Sequence, residues 1–289
     1  MSGGKPAVGV LGAGMMGAGM AASLLRAGHT VLVTPHRSRS AVDRLVAAGA
    51  EEAACPADLA ARAEVVLTCV PDGPAVEALA EAILPVLGAG TLWVDATTSD
   101  PEVTRRIAGR VADRGAVFAD APVTGGPAQA EAGELASLVG CREVDLERVA
   151  TVVGAYSKVV RRFGEIGAGH TAKLLNNLVT QGTMALLAEA FSGARTLGVD
   201  WQALYDVMRV GAARSGTLEK AVGPALRGGF DGSRFAIRNA EKDLRYAVAA
   251  LGPRAELARA AHDVLARHVA EGRGDAFVSR MLEPHPDAF

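Results

Sequence analysis

A glycine-rich turn between a short apolar strand and a helix constrains this chain more than any other feature. Residues 8–25 read VGVLGAGMMGAGMAASLL, with Gly12, Gly14 and Gly17 in the spacing GxGxxG. In such a turn one glycine makes the tight bend, the next lets a pyrophosphate approach the backbone, and the third lets helix and strand pack closely. The amides that open the helix, predicted over residues 15–27, would face those phosphates. The turn predicts a dinucleotide site, and tight packing alone is the alternative explanation of the glycines.

Length and composition exclude several classes of protein. The 289 residues are enough for two domains with a sizeable core. A formal net charge of −2 argues against a nucleic-acid or anionic-membrane partner, and we expect neither a signal peptide nor a membrane span. The cysteines (Cys55, Cys69 and Cys141) and the six histidines form no pattern typical of a metal site. We therefore expect a cytoplasmic protein without a bound metal ion.

The pattern of strands and helices changes near the middle of the chain. In the first half, short Val/Leu-rich runs alternate with Ala-rich helical stretches; the runs are VGVLG, TVLVT, EVVLTCVP, TLWVDATT, AVFADAPV, ELASLVG and KVVRRFG. This alternation is typical of a Rossmann-type, doubly wound parallel sheet with helices on both faces. From about Gly167, helical patterns follow one another. The sequence predicts an α/β fold with an NAD(P)-binding domain over residues 1–166 and an all-helical substrate and dimerisation domain over 167–289.

Polar and glycine-rich segments follow three of the predicted strands. They are PDGP at 71–74, DATTSDP at 95–101 and DAPVTGGPA at 120–128. Ligands bind outside the carboxyl ends of the strands in such sheets. We therefore expect these segments to converge beside the glycine-rich turn.

The helix predicted to begin near Ala168 has an unusual composition. It carries no charged residue between Lys173 and Glu189, which indicates burial nearly all round. Asn177 and Gln181 make it too polar to span a membrane. We interpret it as a core helix between domains or subunits. We expect a homodimer or homotetramer, with the active site in a cleft between the two domains.

The segment after the second strand indicates which nucleotide is preferred. Thr34 and Pro35 stand where an NAD-binding site carries an acid, and Arg37 and Arg39 follow, with serines between and after them. Arginine near this position accommodates the 2′-phosphate of NADP, and serine hydroxyls add phosphate donors. The segment favours NADP, with NAD as the alternative cofactor. A solvated basic loop is the alternative interpretation, since Asp43 is close.

Lys173 is the strongest candidate for chemistry outside the glycine-rich turn. In a helix, Lys173, Asn176 and Asn177 stand at i, i+3 and i+4 and share one face. A lysine and two amides on an otherwise apolar helix are costly to bury unless they meet partners or a ligand. Partial burial suits a group that donates and accepts a proton near neutral pH. A lysine paired with a carboxylate where the domains join is an equally good interpretation of the residues alone.

Four motifs together resemble the β-hydroxyacid dehydrogenase family. They occur in the family's order over nearly the whole chain: GVLGAGMMGAGMA at the first turn, DAPVTGGPAQAEAGEL at 120–135, GAGHTAKLLNN at 167–177 and EKDLRYA at 241–247. The resemblance implies that Lys173 is the general acid/base and that Asn177 holds the substrate hydroxyl or carboxylate. It also implies that Lys242 closes over the nicotinamide or the substrate, with Asp243 anchoring that segment.

The resemblance and the glycine-rich turn together assign further binding residues. The residues expected to bind the substrate carboxylate are Thr124, Gly125 and Gly126. The residues expected to bind the cofactor are Gly12, Ala13, Gly14, Met15, Met16, Gly17, His36, Arg37, Ser38, Arg39, Val70, Pro71, Thr97, Thr98 and Lys242.

Two departures from the family pattern bear on substrate choice. Thr124 stands where the family commonly has serine, and His170 is bulkier than the usual glutamine or glutamate near the lysine. The resemblance implies hydride transfer between NADP(H) and a small 3-hydroxy acid or its semialdehyde, as in 3-hydroxyisobutyrate dehydrogenase. A reductase of an imine or another carbonyl, or a non-catalytic NADP-binding module, is the alternative. Related imine reductases generally lack the lysine, so Lys173 argues for hydroxy acids.

Overall fold

A computed structural model describes residues 4–35 and 39–284. His36, Arg37 and Ser38, three of the residues predicted to bind the cofactor, lie outside the described residues. The chain divides into two compact units, Met1–Lys173 (the first unit) and Leu174–Phe289 (the second unit).

The first unit alternates strands and helices, as the sequence predicts. Its strands are β1 (Val8–Leu11), β2 (Val31–Val33), β3 (Glu51–Glu52), β4 (Val65–Thr68), β5 (Leu92–Asp95), β6 (Val117–Asp120), β7 (Val123–Thr124), β8 (Leu135–Gly140) and β9 (Ser157–Gly164). Its helices are α1 (Met15–Arg26), α2 (Arg39–Ala47), α3 (Pro56–Arg62), α4 (Gly73–Ile83), α5 (Pro101–Ala112), α6 (Pro127–Ala132) and α7 (Leu146–Val153), with short 3-10 turns at Leu84–Val86 and Glu143–Asp145. Each predicted strand run contains a strand, and the two-residue β3 was not predicted.

One mixed sheet runs through the first unit. The strand order is β3-β2-β1-β4-β5-β6-β8-β7, and β9 pairs with β8. The strands from β3 to β6 are all parallel to their neighbours. However, β8 is antiparallel to both β6 and β7. For β7 and β8 the reason is the connection, since residues 125–134 are too few for the crossover of a dozen or more residues that a parallel pair needs. The Rossmann-type fold class is confirmed, although the parallel pairing of the six strands from β3 to β6 is interrupted by β7 and β8 and resumes only between β8 and β9.

Alternating residues of the central strands supply two separate cores. In β4, Val65 and Leu67 belong to one apolar cluster and Val66 to the other, and Trp93 of β5 joins Val66. The first cluster is completed by α1, α2 and α7, and the second by α3, α4 and α5. Because successive side chains in a strand point to opposite faces, the sheet is covered by helices on both sides, as the doubly wound prediction requires.

The second unit is built from helices around its own core. The long helix α8 (Ala168–Thr196) begins in the first unit and continues into the second; the others are α9 (Trp201–Met208), α10 (Gly216–Ala225), α11 (Ile237–Leu251) and α12 (Glu256–His268). Shorter helical turns are Gly252–Arg254, Val269–Arg273 and Val278–Leu282. Phe191, Val222, Leu244 and Leu265 pack together in this core.

The long helix is not buried all round in the single chain. Leu175, Val179 and Leu186 are 44%, 70% and 69% exposed in the single chain, so burial of these positions against another subunit stays a prediction. They recur at a helical spacing and form an apolar stripe, defined here as the α8 stripe. Across residues 4–35 and 39–284, no helix has the combination of length and apolarity that crossing a membrane requires.

Candidate functional site

The carboxyl ends of four parallel strands form a row. Leu11, Thr68, Asp95 and Asp120 end β1, β4, β5 and β6 and pair in register across neighbouring strands. The loops that the sequence assigns to ligand binding each follow directly from one member of this row. The sheet therefore brings segments that are far apart in sequence to one edge, where ligands of such sheets bind.

The glycine-rich turn needs its first and third glycines for close backbone approach. Gly12 has φ of +100°, and a Cβ there would lie 2.3 Å from the carbonyl oxygen of Cys69. A Cβ on Gly17 would lie 2.1 Å from the carbonyl oxygen of Gly12. The turn thus packs against the end of β4. Burial, together with the charge of Asp95, raises the pKa of the Cys69 thiol to about 12, so Cys69 stays protonated there and is no nucleophile.

The start of α1 suits an anionic ligand. Its N-cap is Gly14, which has no side chain to cap the first amides of the helix, and the first turn has no acidic residue. A Cβ on Gly14 would have no heavy atom of the described residues within 4 Å, so the backbone is open to a ligand at this point. Met15 is 81% exposed. Open amides at a helix N-terminus are what a pyrophosphate requires, and the residues present fit a dinucleotide.

The loops after β4 and β5 are held together by Asp95. Its Oδ1 accepts hydrogen bonds from Thr68 Oγ1 at 2.8 Å and from the Thr97 N–H at 3.0 Å. Thr97 Oγ1 in turn accepts from the Val70 N–H at 3.2 Å. Val70 and Thr97, both predicted to bind the cofactor, are therefore joined, while Pro71 is exposed and Thr98 half-buried. This fold and this set of loops are typical of a protein that binds a dinucleotide at the carboxyl ends of its strands.

The first turn of α8 is held by a carboxylate from another strand. Asp120 Oδ1 accepts from the Gly167 N–H and Oδ2 from the His170 N–H, each at 2.7 Å. Burial raises the pKa of Asp120, while His170 and these N–H donors act in the opposite direction. The helix therefore starts on the sheet through hydrogen bonds that satisfy two of its unpaired amides. Lys173 follows one turn after His170 and is half-buried.

The proposed substrate segment lies at the end of β7. Thr124 ends this strand and is half-buried, Gly125 is exposed, and Gly126 is the N-cap of α6. The Gly126 N–H donates to Gln129 Oε1 at 3.0 Å. The structure thus places these residues in one turn between β7 and α6.

In the second unit, Asn177 is fixed by a buried carboxylate. Its Nδ2 donates to Asp243 Oδ2 at 2.6 Å, and Asn176 Nδ2 donates to Asn177 Oδ1 at 3.2 Å. Lys242 Nζ lies 3.1 Å from Asp243 Oδ1 and 5.6 Å from the ring centre of Tyr246. Asn177, Lys242 and Asp243 are buried, so three residues of two separate motifs form one polar group.

Asn177→Ala is expected to destabilise the protein by about 1–3 kcal/mol, because it removes the amide donor of the buried Asp243. Asn176→Ala is the matched control: it changes the neighbouring, exposed asparagine and should cost no more than about 0.5 kcal/mol. Urea unfolding of the two variants measures the difference. Equal losses for both variants would contradict the role of Asp243.

Arg39 is already paired with carboxylates. Its Nη1 and Nη2 bind Glu52 Oε1 and Oε2 at 2.9 and 2.7 Å, and its Nε binds Asp43 Oδ1 at 2.9 Å. Glu52 lies in β3, in register with Val33 at the end of β2. The two carboxylates raise the pKa of Arg39 further above its ordinary value. Arg39, which the sequence predicts to contact a phosphate, is thus paired with two acidic side chains in the structure.

Sequence reasoning missed the two carboxylates that organise the site. Asp95 and Asp120 were noted only as the first residues of polar segments, although an aspartate at the end of each of two successive buried strands is a readable signal. His170 was treated as a bulky neighbour of the lysine, whereas it is fully buried. Within residues 4–35 and 39–284, no group of three or more His, Cys, Asp or Glu side chains could hold a metal ion.

Comparisons with known proteins cover nearly the whole chain. Residues 7–167 match the family model described as the NAD binding domain of 6-phosphogluconate dehydrogenase. Residues 167–284 match the one described as NAD-binding of NADP-dependent 3-hydroxyisobutyrate dehydrogenase. The probable mitochondrial 3-hydroxyisobutyrate dehydrogenase of Dictyostelium discoideum is 32% identical over 281 residues, 92% of this chain and 87% of that protein.

Two further relatives agree. The 2-(hydroxymethyl)glutarate dehydrogenase of Eubacterium barkeri is 31% identical over 84% of this chain and 81% of its own length. The solved structure of Mycobacterium tuberculosis 3-hydroxyisobutyrate dehydrogenase with L-serine has a TM-score of 0.87 and 30% identity, covering 96% of this chain and 98% of that one. The chain therefore belongs to the β-hydroxyacid dehydrogenase family. The predicted resemblance is confirmed, and the chain is an NAD(P)-dependent oxidoreductase that acts on CH–OH groups.

Proposed function

We propose that this enzyme transfers hydride between NADP(H) and a small 3-hydroxy acid or its semialdehyde, with Lys173 as the general acid/base. The observation that carries the proposal is the construction of α8. Its first turn is held by Asp120, and Lys173 stands one turn before Asn177, which Asp243 holds at 2.6 Å. The helix thus presents the Lys173 amine and the Asn177 amide on one face. Hydrogen bonds hold the turn before Lys173 and hold Asn177 itself.

The proposed chemistry divides between the cofactor and the chain. When bound, the nicotinamide supplies or accepts the hydride. In oxidation, Lys173 Nζ takes the proton of the substrate hydroxyl; in reduction it returns that proton, and its ammonium stabilises the developing negative charge on oxygen. Asn177 orients the hydroxyl or the carboxylate. The hydroxyl of Thr124 with the amides of Gly125 and Gly126 binds the carboxylate, which then replaces Gln129 Oε1 as the acceptor of the Gly126 N–H.

The names of the relatives support the substrate class. The descriptions of three of these proteins contain 3-hydroxyisobutyrate, 2-(hydroxymethyl)glutarate and L-serine, and each compound carries a hydroxyl group on the carbon next to the one that bears a carboxylate. A site that takes them needs an anion-binding turn at a fixed distance from a proton donor. The segment 124–126 and Lys173 are the candidates for these two parts.

A spectrophotometric screen tests the proposal directly. Purified enzyme is mixed with NADPH or NADH and, in turn, with methylmalonate semialdehyde, tartronate semialdehyde, succinic semialdehyde, glyoxylate and a cyclic imine, and absorbance is followed at about 340 nm. Turnover of a semialdehyde with NADPH is the expected result. Turnover of the cyclic imine alone would establish the alternative, an imine reductase. Tight NADPH binding with no turnover of any compound would favour a non-catalytic nucleotide-binding module.

The preference for NADP rests on the segment that follows β2. Glu52 holds the Arg39 guanidinium by two hydrogen bonds and places a negative charge beside the end of this strand. Both side chains are partly exposed, at 60% and 33%, and such pairs contribute only about 0–1 kcal/mol. A 2′-phosphate can therefore compete with Glu52 for Arg39. The NADP assignment also agrees with the description of the matched second domain.

Glu52→Gln is accordingly expected to lower the Kd for NADPH by up to about fivefold, because it frees Arg39 and removes a repelling charge. The Kd for NADH should stay unchanged, since NADH has no 2′-phosphate. Nucleotide fluorescence titration measures both constants. Glu77→Gln, which removes the exposed partner of Arg106 in the same unit, is the control. An equal gain for both nucleotides would contradict the proposal for Arg39.

We further propose a homodimer or homotetramer in the cytoplasm. The α8 stripe gives an exposed apolar surface that a second copy of the chain would cover, and exposed patches of this kind mark interaction sites. Light scattering of the purified protein, with Val179→Glu as the disrupting variant, tests the subunit number. A monomer for the unaltered protein would contradict it.

A further inference from the structure

A buried cluster of titratable side chains lies beside Lys173 and has no part in the proposed proton transfer. It consists of Asp95, Asp120 and His170, all fully buried or nearly so, with Thr104 of α5 as a neutral neighbour. His170 lies between the two carboxylates: its Nε2 is 3.9 Å from Asp95 Oδ2, and its Nδ1 is 4.0 Å from Asp120 Oδ2.

The two carboxylates hold different parts of the site. Asp95 fixes Thr97 and, through it, the N–H of Val70, which belong to the loops assigned to the cofactor. Asp120 fixes the first turn of α8, which leads to Lys173. The absence of a side chain on Gly169 lets this turn of α8 lie against the sheet, because a Cβ there would lie 2.3 Å from the Leu138 carbonyl oxygen. The imidazole of His170 is therefore the group that separates the cofactor loops from the start of the lysine helix.

Hydrogen bonding fixes the orientation of this imidazole. Thr104 Oγ1 lies 2.7 Å from His170 Nδ1 and 3.0 Å from the Asp100 carbonyl oxygen, so a hydrogen bond between Thr104 and Nδ1 holds this edge of the ring in either tautomer. Nε2 then faces Asp95 and makes no hydrogen bond within the described residues. A buried nitrogen without a partner is costly, so packing alone gives no reason for a histidine here rather than an apolar residue.

We propose that His170 is a positioning residue: held by Thr104 between Asp95 and Asp120, it sets Lys173 at a fixed place relative to the cofactor loops of Val70 and Thr97. This inference rests on the proposed function of Lys173. The imidazole places a polar ring nitrogen about 4 Å from each carboxylate. An apolar side chain of similar size would fill the same space but would give neither Asp95 nor Asp120 a polar neighbour. Arg105 and Glu165 are further charged groups beside this turn: Arg105 Nε lies 3.2 Å from the position of a Cβ on Gly167, and the Glu165 carbonyl oxygen accepts from the Ala168 N–H.

The central test compares His170→Leu with His170→Gln. Leucine removes the polar link, and glutamine keeps an amide that can donate to Thr104. For His170→Leu we expect kcat to fall by about 10²-fold, the loss that a small misplacement of a catalytic group produces, with the Kd for NADPH unchanged. For His170→Gln we expect most of the activity to return. Thr104→Val, which removes only the hydroxyl that holds Nδ1, should lower kcat in the same direction, and Thr104→Ser should restore it.

A matched control separates positioning from stability. Ser137→Ala removes one member of a buried hydroxyl pair between β8 and β9, in which Ser137 Oγ lies 2.8 Å from Ser157 Oγ. It should lower the thermal midpoint without changing kcat. A folded His170→Leu protein with kcat within twofold of the unaltered enzyme would overturn the inference. A loss of kcat matched by an equal loss of NADPH affinity would overturn it as well.

A readout without turnover keeps this inference distinct from the proposed function. Competitive acetylation with acetic anhydride, read by mass spectrometry over a pH series, reports the reactivity of Lys173, with the exposed Lys158 as internal reference. His170→Leu removes the link between the cofactor loops and the first turn of α8, so the acetylation midpoint of Lys173 should shift while that of Lys158 stays. If the unaltered protein reduces no semialdehyde and the midpoint still shifts, the proposed function fails and the positioning role stands. An unchanged midpoint, with or without turnover, contradicts the positioning role.

Discussion

Lys173→Met is expected to lower kcat by about 10²–10⁴-fold, the contribution that a positioned general acid/base makes to a proton transfer, while the Kd for NADPH should stay within about twofold. Methionine keeps the length and the apolar stem of the side chain and removes only the group that carries the proton. Steady-state kinetics and nucleotide titration measure the two quantities.

Two further variants sharpen this result. Lys158→Met, at an exposed position of β9, is the matched control and should leave kcat unchanged. Lys173→Ala should regain part of its activity when methylamine is added, because the small amine can occupy the space that the side chain leaves. Normal turnover in Lys173→Met would show that another group moves the proton.

Gly17→Ala and Gly14→Ala are expected to fail for different reasons. A methyl group on Gly17 would meet the Gly12 carbonyl oxygen at 2.1 Å, and overpacking of this kind costs about 1–3 kcal/mol; the thermal midpoint should fall. A methyl group on Gly14 meets nothing within 4 Å among the described residues, and the φ of −76° suits alanine. Stability should therefore hold in Gly14→Ala.

For Gly14→Ala the expected loss is in NADPH affinity rather than in stability. If the second glycine is where a pyrophosphate approaches the backbone, Gly14→Ala should weaken NADPH binding by about tenfold or more, the equivalent of ~1.4 kcal/mol, without a change in the thermal midpoint of the free protein. Differential scanning fluorimetry with and without NADPH reads both effects. Unaltered NADPH affinity in Gly14→Ala would place the pyrophosphate elsewhere.

The fold could be predicted because its signals are local. The strand run, the three glycines and the following helix of residues 8–25 are contiguous, and each further strand is a short apolar run. Period and composition within one segment decide these elements. The order of parallel strands then follows from few topological rules. The antiparallel direction of β8 was not predicted, because it depends on the short connection of ten residues by which the chain returns from β7 to pair with it.

The organisation of the site could not be predicted because its partners are remote in sequence. Asp120 lies 50 positions from His170, and Asn177 lies 66 positions from Asp243. No period or spacing relates such residues, so hydrogen bonds between them appear only once the sheet and the helices are in place. The resemblance to the family named Lys173, Asn177 and Asp243, but not the part of His170. Arg39 shows the opposite case, since its sequence position suggested a phosphate contact and the structure gives it two carboxylates.

The register of Leu11, Thr68, Asp95 and Asp120 makes the enzyme modular for redesign. Each strand end carries its own loop, and those assigned to the cofactor follow β1, β2, β4 and β5, whereas the turn assigned to the substrate carboxylate follows β7. A library restricted to residues 125–129 can therefore be screened for new acids while the strands, both cores and the nucleotide loops stay constant. Selectivity for the acid and selectivity for the nucleotide can be engineered one after the other.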